Sequence, residues 1–85
     1  MTINVAKGIL MKHQQLDAKG LLCPLPVLKA RKLLKAMGVG DCLHILATDP
    51  GSQQDFKAFC DTHGHELLES KVDGDVFSYL IKKII

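Results

Sequence analysis

Cys23-Pro24-Leu25-Pro26 is the stretch of this 85-residue chain whose residue types and spacing could do chemistry. Pro24 and Pro26 lack backbone donors, which the first turn of a helix does not need. Val27 to Met37 follows them, rich in Leu, Lys and Ala and free of Gly and Pro, a composition that favours helix. A helix starting at Pro24 or Pro26 puts Cys23 at or just before its N-terminus. Unpaired N–H groups and the positive end of the helix dipole favour negative charge there. A cysteine so placed has its pKa lowered from about 8.5, and the thiolate is the nucleophile. The competing reading is a buried cysteine beside a proline turn.

The elements that must position Cys23 follow from pattern. Lys12 to Asp17 reads as a short strand, and Ala18-Lys19-Gly20 as a turn. In the first helix Val27, Ala30, Leu34 and Met37 form one apolar stripe, widened by Leu33, and Gly38 and Gly40 end it. Asp41 to Thr48 alternates as a strand, with Leu43, Ile45 and Ala47 as the cleaner core face. Asp49-Pro50-Gly51 stops that strand. A second helix is expected over Gln53 to Thr62, capped by Ser52 or a neighbour, with Phe56, Phe59 and Cys60 inward and Gly64 ending it. His65 to Val72 is a third strand, Asp73-Gly74 a tight hairpin turn, and Asp75 or Val76 to Ile84 a fourth strand. Either Phe77, Tyr79 and Ile81 or Val76, Ser78, Leu80 and Lys82 face inward on that last strand.

The order βαβαββ predicts an α+β two-layer sandwich, a mixed four-stranded sheet with two helices on one face. Residues 12–85 make a single domain, and residues 1–11 an N-terminal extension expected to be poorly ordered. A net charge of +2 is too small to argue for nucleic-acid binding. No stretch approaches the roughly 18 apolar residues of a membrane span. Three cysteines, an odd number without a C-x-x-C pair, fit a reducing cytoplasm better than a disulfide framework. His13, His44, His63 and His65 have no usual metal-ligand spacing, so no metal or other cofactor is expected.

At this point the residues carry a resemblance. Leu16-Asp17, Gly20, Leu22-Cys23-Pro24 and Pro26 resemble the C-P-x-P signature of the TusA/SirA-like family of small sulfur-carrier proteins. Gly40-Asp41, Ala47-Thr48-Asp49-Pro50, Gly64-His65-Glu66-Leu67, Asp73-Gly74 and the run Phe77 to Lys83 resemble its later landmarks, so the resemblance covers about residues 12–84. It implies a βαβαββ sandwich that carries sulfur as a persulfide on Cys23. It also implies a donor such as a cysteine desulfurase and a downstream acceptor protein. The family's outlets include 2-thiouridine in tRNA, sulfur oxidation, molybdenum-cofactor assembly and selenium metabolism. Leu25 stands where an acidic residue is common in that family.

Other residues enter as support. Asp17 and Asp49 lie at strand ends that could come near Cys23. Asp49 could orient a partner or hold the loop, or it could cap the second helix. A carboxylate close to Cys23 would oppose thiolate formation. Leu28, Arg31, Lys32 and Lys35 share one side of the first helix, a docking face with Leu25 or an ordinary solvated one. Cys42 and Cys60 read as bystanders. A carrier must expose its thiol, so a monomer is expected. The alternative function is a non-catalytic regulatory or nucleic-acid-binding module on the same fold, which would need no reactive thiol.

Overall fold

The computed structural model describes residues 13–85, so the expectations for residues 1–11 and for a strand start at Lys12 lie outside the described residues. The chain runs β1 (His13–Ala18), α1 (Leu25–Ala36), β2 (Cys42–Ala47), α2 (Ser52–His63), β3 (Glu66–Asp73) and β4 (Val76–Lys82). The sheet order is β1-β2-β4-β3. β1 and β2 are parallel, joined through α1; β4 is antiparallel to both β2 and β3.

The register settles which face of β4 is inward. Leu43 pairs with Ile81, Ile45 with Tyr79 and Ala47 with Phe77. These residues share one face of the sheet. With Ala18 they meet Ala30, Leu34 and Met37 at α1 and Phe56, Phe59 and Cys60 of α2 in one buried cluster. Both helices therefore cover the same face, as an α+β sandwich requires. The buried stripe of α1 is Pro26, Ala30 and Leu34, at four-residue spacing, with Met37 just beyond the helix; Val27 and Leu33 are half-buried at its margin. Pro26, read from sequence as part of a helix start, is also a core side chain.

The helix ends differ from expectation in two respects. α1 stops because Met37 turns to an extended conformation, before either glycine. The Lys83 ammonium donates to the carbonyls of Met37 at 2.7 Å and Lys35 at 3.4 Å, satisfying acceptors that the helix leaves open. At α2, Gly51 occupies the N-cap position and no side chain caps the helix. Ser52 is turned inward instead, its hydroxyl 2.6 Å from the buried Tyr79 hydroxyl. Burial of that polar pair costs little because each oxygen has the other as partner. Gly64 ends α2 in the left-handed region (φ 77°), and its N–H and that of His65 both donate to the Cys60 carbonyl.

Candidate functional site

Two parallel neighbouring strands bring their C-terminal ends to one edge of the sheet, where α/β proteins commonly bind ligands. Ala18 pairs with Ala47 at those ends. The loop leaving β1 holds Cys23 and leads to α1; the loop leaving β2 holds Asp49 and leads to α2. Side chains zip the two loops together. The Thr48 hydroxyl accepts from the Gly20 N–H at 2.9 Å, and the Asp49 carboxylate accepts from the Cys23 N–H at 3.2 Å. Gly20 sits at φ +85°, a conformation that favours a residue without a Cβ. The Asp17 carboxylate accepts from the Lys19 N–H at 3.0 Å, shaping the same turn from β1.

Cys23 is exposed, whereas Cys42 and Cys60 are buried. Pro24 is the N-cap of α1, so Cys23 stands one residue outside the helix. Its thiol turns to α2 and donates to the Asp55 carboxylate at 2.5 Å. Asp55 lies in the first turn of α2, and its partnership with Cys23 spans 32 residues. No sequence spacing signals it. Of the roles open to Asp49, its side chain takes the loop-holding one rather than the cap; no side chain caps α2.

This geometry reverses the expected direction of the Cys23 pKa. The hydrogen bond to Asp55 favours the protonated thiol, slight desolvation adds to it, and the charges of Asp55 and Asp49 repel a thiolate. The pKa is raised, because a full carboxylate charge in contact outweighs the partial charge of a helix end. Burial raises Cys42, and pushes Cys60 up to about 11. The free protein therefore holds all three cysteines as thiols near neutral pH. Asp55→Asn is expected to move the midpoint of Cys23 alkylation to lower pH and so to speed alkylation at pH 7. Alkylation rate against pH, on variants keeping only Cys23, measures it. An unmoved midpoint contradicts the role given to Asp55.

Around the thiol the surface is apolar. Leu22, Leu25 and Leu28 are 71%, 45% and 50% exposed. On one side an open groove of about 310 Å³ runs between the helices, lined by Cys23, Val27, Asp55, Ala58, Phe59 and Thr62. On the other, Leu28, Arg31, Lys32 and Lys35 line a shallow groove of about 290 Å³. Of the α2 wall of the first groove, Phe59 was legible in the sequence, but Ala58 and Thr62 were not, because they carry no apolar-stripe signal. The Cys23, Asp49 and Asp55 donor atoms lie within 4.8 Å of one another, one thiol and two carboxylates. A structural zinc site closes with four ligands, so this trio would be incomplete.

A family model described as Sulfurtransferase TusA matches residues 14–83. The chain belongs to the TusA family. It is 59% identical over 70 residues to the sulfur carrier protein TusA of Allochromatium vinosum, covering 82% of this chain and 92% of that one. It is 46% identical over 72 residues to a Neisseria meningitidis protein whose name gives it provisionally as a sulfur carrier, covering 85% of this chain and 97% of that one. A crystal structure of a SirA-like protein from Desulfitobacterium hafniense superposes with a TM-score of 0.75 at 27% identity, covering 85% of this chain and 99% of that one. The TusA-family fold is thus the sandwich described above, with Cys23 at the junction of β1 and α1.

Proposed function

We propose that this chain is a sulfur carrier whose Cys23 accepts sulfur as a persulfide and hands it on. The observation that carries the proposal is a single exposed thiol, set between apolar side chains at the helix-start edge of a TusA-family sandwich. In the loading step Cys23 Sγ attacks the terminal sulfur of a donor persulfide. The donor S–S bond breaks and a new one forms to Cys23. The donor cysteine leaves as thiolate and takes up the proton that Cys23 gave up, so no oxidant or reductant is needed. Unloading is the same reaction with an acceptor thiol attacking the terminal sulfur of Cys23–S–SH.

Asp55 and Asp49 shape both steps. They make the resting thiol a poor nucleophile and the departing Cys23 thiolate a poor leaving group. A partner that brings a cation or a proton to this edge relieves both restraints, so transfer is tied to docking. Leu25 and Leu28 supply apolar contact, and Arg31, Lys32 and Lys35 steer an acidic partner surface. The proposed donor is a cysteine desulfurase or another persulfide enzyme, and the proposed acceptor is a protein thiol on a route such as tRNA 2-thiouridine synthesis. We place the carrier in the cytoplasm, as a monomer with residues 12–85 as one domain; no helix of the described residues is long and apolar enough to cross a membrane.

The test is to incubate the protein with a cysteine desulfurase and cysteine labelled in sulfur, then map the label by peptide mass spectrometry. Label on the peptide holding Cys23 is the expected result. Label confined to the peptides holding Cys42 or Cys60, or none on the carrier, overturns the proposal.

A further inference from the structure

The seam between α1 and α2 opens at its far end into a second cavity, of about 210 Å³. It shares Phe59 and His63 with the groove beside Cys23 but is lined by a different chemistry. Arg31 and Lys35 face it from α1, His63 from the end of α2, His65 from just before β3, and Lys83 from just beyond β4. Four elements thus converge five basic side chains on one small space. Phe59 forms an aromatic wall, with the His63 ring centred 4.8 Å and the His65 ring 5.8 Å from it. Those contacts hold both imidazoles in place.

No ion pair with a described side-chain carboxylate holds these charges. Among the described residues the ion pairs are Lys57–Asp61 and Lys71–Glu69, neither of which reaches this cavity. The competing use of the cations is to offset the C-terminal ends of the two helices. Lys83 does this at α1, where it donates to the Met37 and Lys35 carbonyls. Two helix ends amount to about −0.5 charge each. Arg31, Lys35 and Lys83 are three permanent positive charges; set against the two helix ends and the terminal carboxylate of Ile85, which also lines the cavity, they leave about +1 before either histidine is protonated. Burial first, and then the neighbouring His63 and Lys83, lower the His65 pKa.

We infer that this cavity is a binding site for a phosphate dianion, either free phosphate or the terminal group of a phosphate ester. The excess of about one charge rises to about two when His65 takes up a proton, which matches a dianion better than a single carboxylate. Arg31 offers the planar fork that phosphate oxygens take bidentately. The volume is below the roughly 300 Å³ of sites for drug-sized ligands, which fits a small anionic head group. His65 Nδ1 accepts from the Ile84 N–H at 3.4 Å, a long bond that protonation gives up; bound phosphate would bring negative charge beside the ring, so the imidazolium is favoured and its proton is taken up with the ligand. This site is independent of the Cys23 reading and stands or falls without sulfur transfer.

The test follows backbone amide and histidine ring NMR signals of the full chain as inorganic phosphate replaces sodium chloride at constant ionic strength near neutral pH. Saturable shifts at Lys35, His63 and His65, with a raised His65 pKa, are expected. Arg31→Gln and Lys35→Gln each remove an exposed cation with no hydrogen bond to the fold among the described residues, and should weaken binding about tenfold. A parallel titration with phenyl phosphate separates the sources. Tighter binding than inorganic phosphate identifies an ester over the Phe59 wall, and equal or weaker binding identifies the free anion; both support the site. Shifts that fail to saturate, that acetate reproduces equally, or that survive both substitutions overturn it.

Discussion

Cys23→Ser is expected to abolish sulfur loading, leaving no labelled sulfur on the protein after incubation with a desulfurase and cysteine. A serine hydroxyl cannot form the S–S bond in which sulfur is carried. The other cysteines cannot substitute. Cys42 and Cys60 are buried, so neither offers the access that exchange needs. Cys60, with its pKa pushed up to about 11, has a thiolate fraction of about one in ten thousand at pH 7. Intact-mass spectrometry of the variant beside wild type reads the result, and circular dichroism checks the fold. The fold should be unchanged, because the Cys23 side chain is exposed and its only described hydrogen bond is to Asp55. A loaded variant would show that sulfur is carried elsewhere.

Phe56→Ala should cost about 3–5 kcal/mol of folding stability, the range for truncating a buried aromatic. Phe56 has no exposed surface and its ring lies 4.8 Å, centre to centre, from that of Tyr79. Small domains hold about 5–15 kcal/mol in total, so this one change removes a large share. The urea midpoint should fall by about 2 M or more for a chain of this size. Leu28→Ala, on a half-exposed side chain, should change stability by about 0.5 kcal/mol or less. Equal effects of the two would contradict the placement of Phe56 at the centre of the core. Asp55 adjoins Phe56 on α2, so the same packing that stabilises the sandwich also holds the carboxylate against the Cys23 thiol.

The two aspartates next to the thiol change how reactivity is understood. A helix start alone suggests an activated nucleophile. With Asp55 in contact, the free carrier keeps its sulfur in the protonated and less reactive form. That protects a thiol that has to remain exposed between partners, since oxidation follows thiolate character and access. Under the proposed function, activation belongs to the complex, where a partner's positive charge can compete for the carboxylates.

Much of this was legible in the sequence because it is local. The alternation of Leu43, Ile45 and Ala47, the helical run around Pro26 and the hairpin turn at Gly74 each depend on neighbours a few residues away; each element appears near its pattern, the turn one residue later than expected, at Gly74-Asp75, with Asp73 ending β3 opposite Val76. The element order then leaves few ways to cover one face of a sheet. Cys23 stood out for the same reason: a thiol before two prolines is a local arrangement. What local pattern cannot contain is the meeting of residues distant in the chain. The inward face of β4 was undecided until its register against β2 paired Tyr79 with Ile45. Ser52 looked like a cap, but a buried hydroxyl 27 residues away claimed it. Asp55 was an ordinary acidic residue in a first helical turn until the parallel pairing of β1 and β2 brought both helix starts to one edge. The sequence by itself determined the sandwich and singled out the cysteine on which the proposed chemistry turns. Only the tertiary structure decided which way that cysteine's pKa moves, because pKa answers to charges within a few ångströms in space, however far apart they lie along the chain.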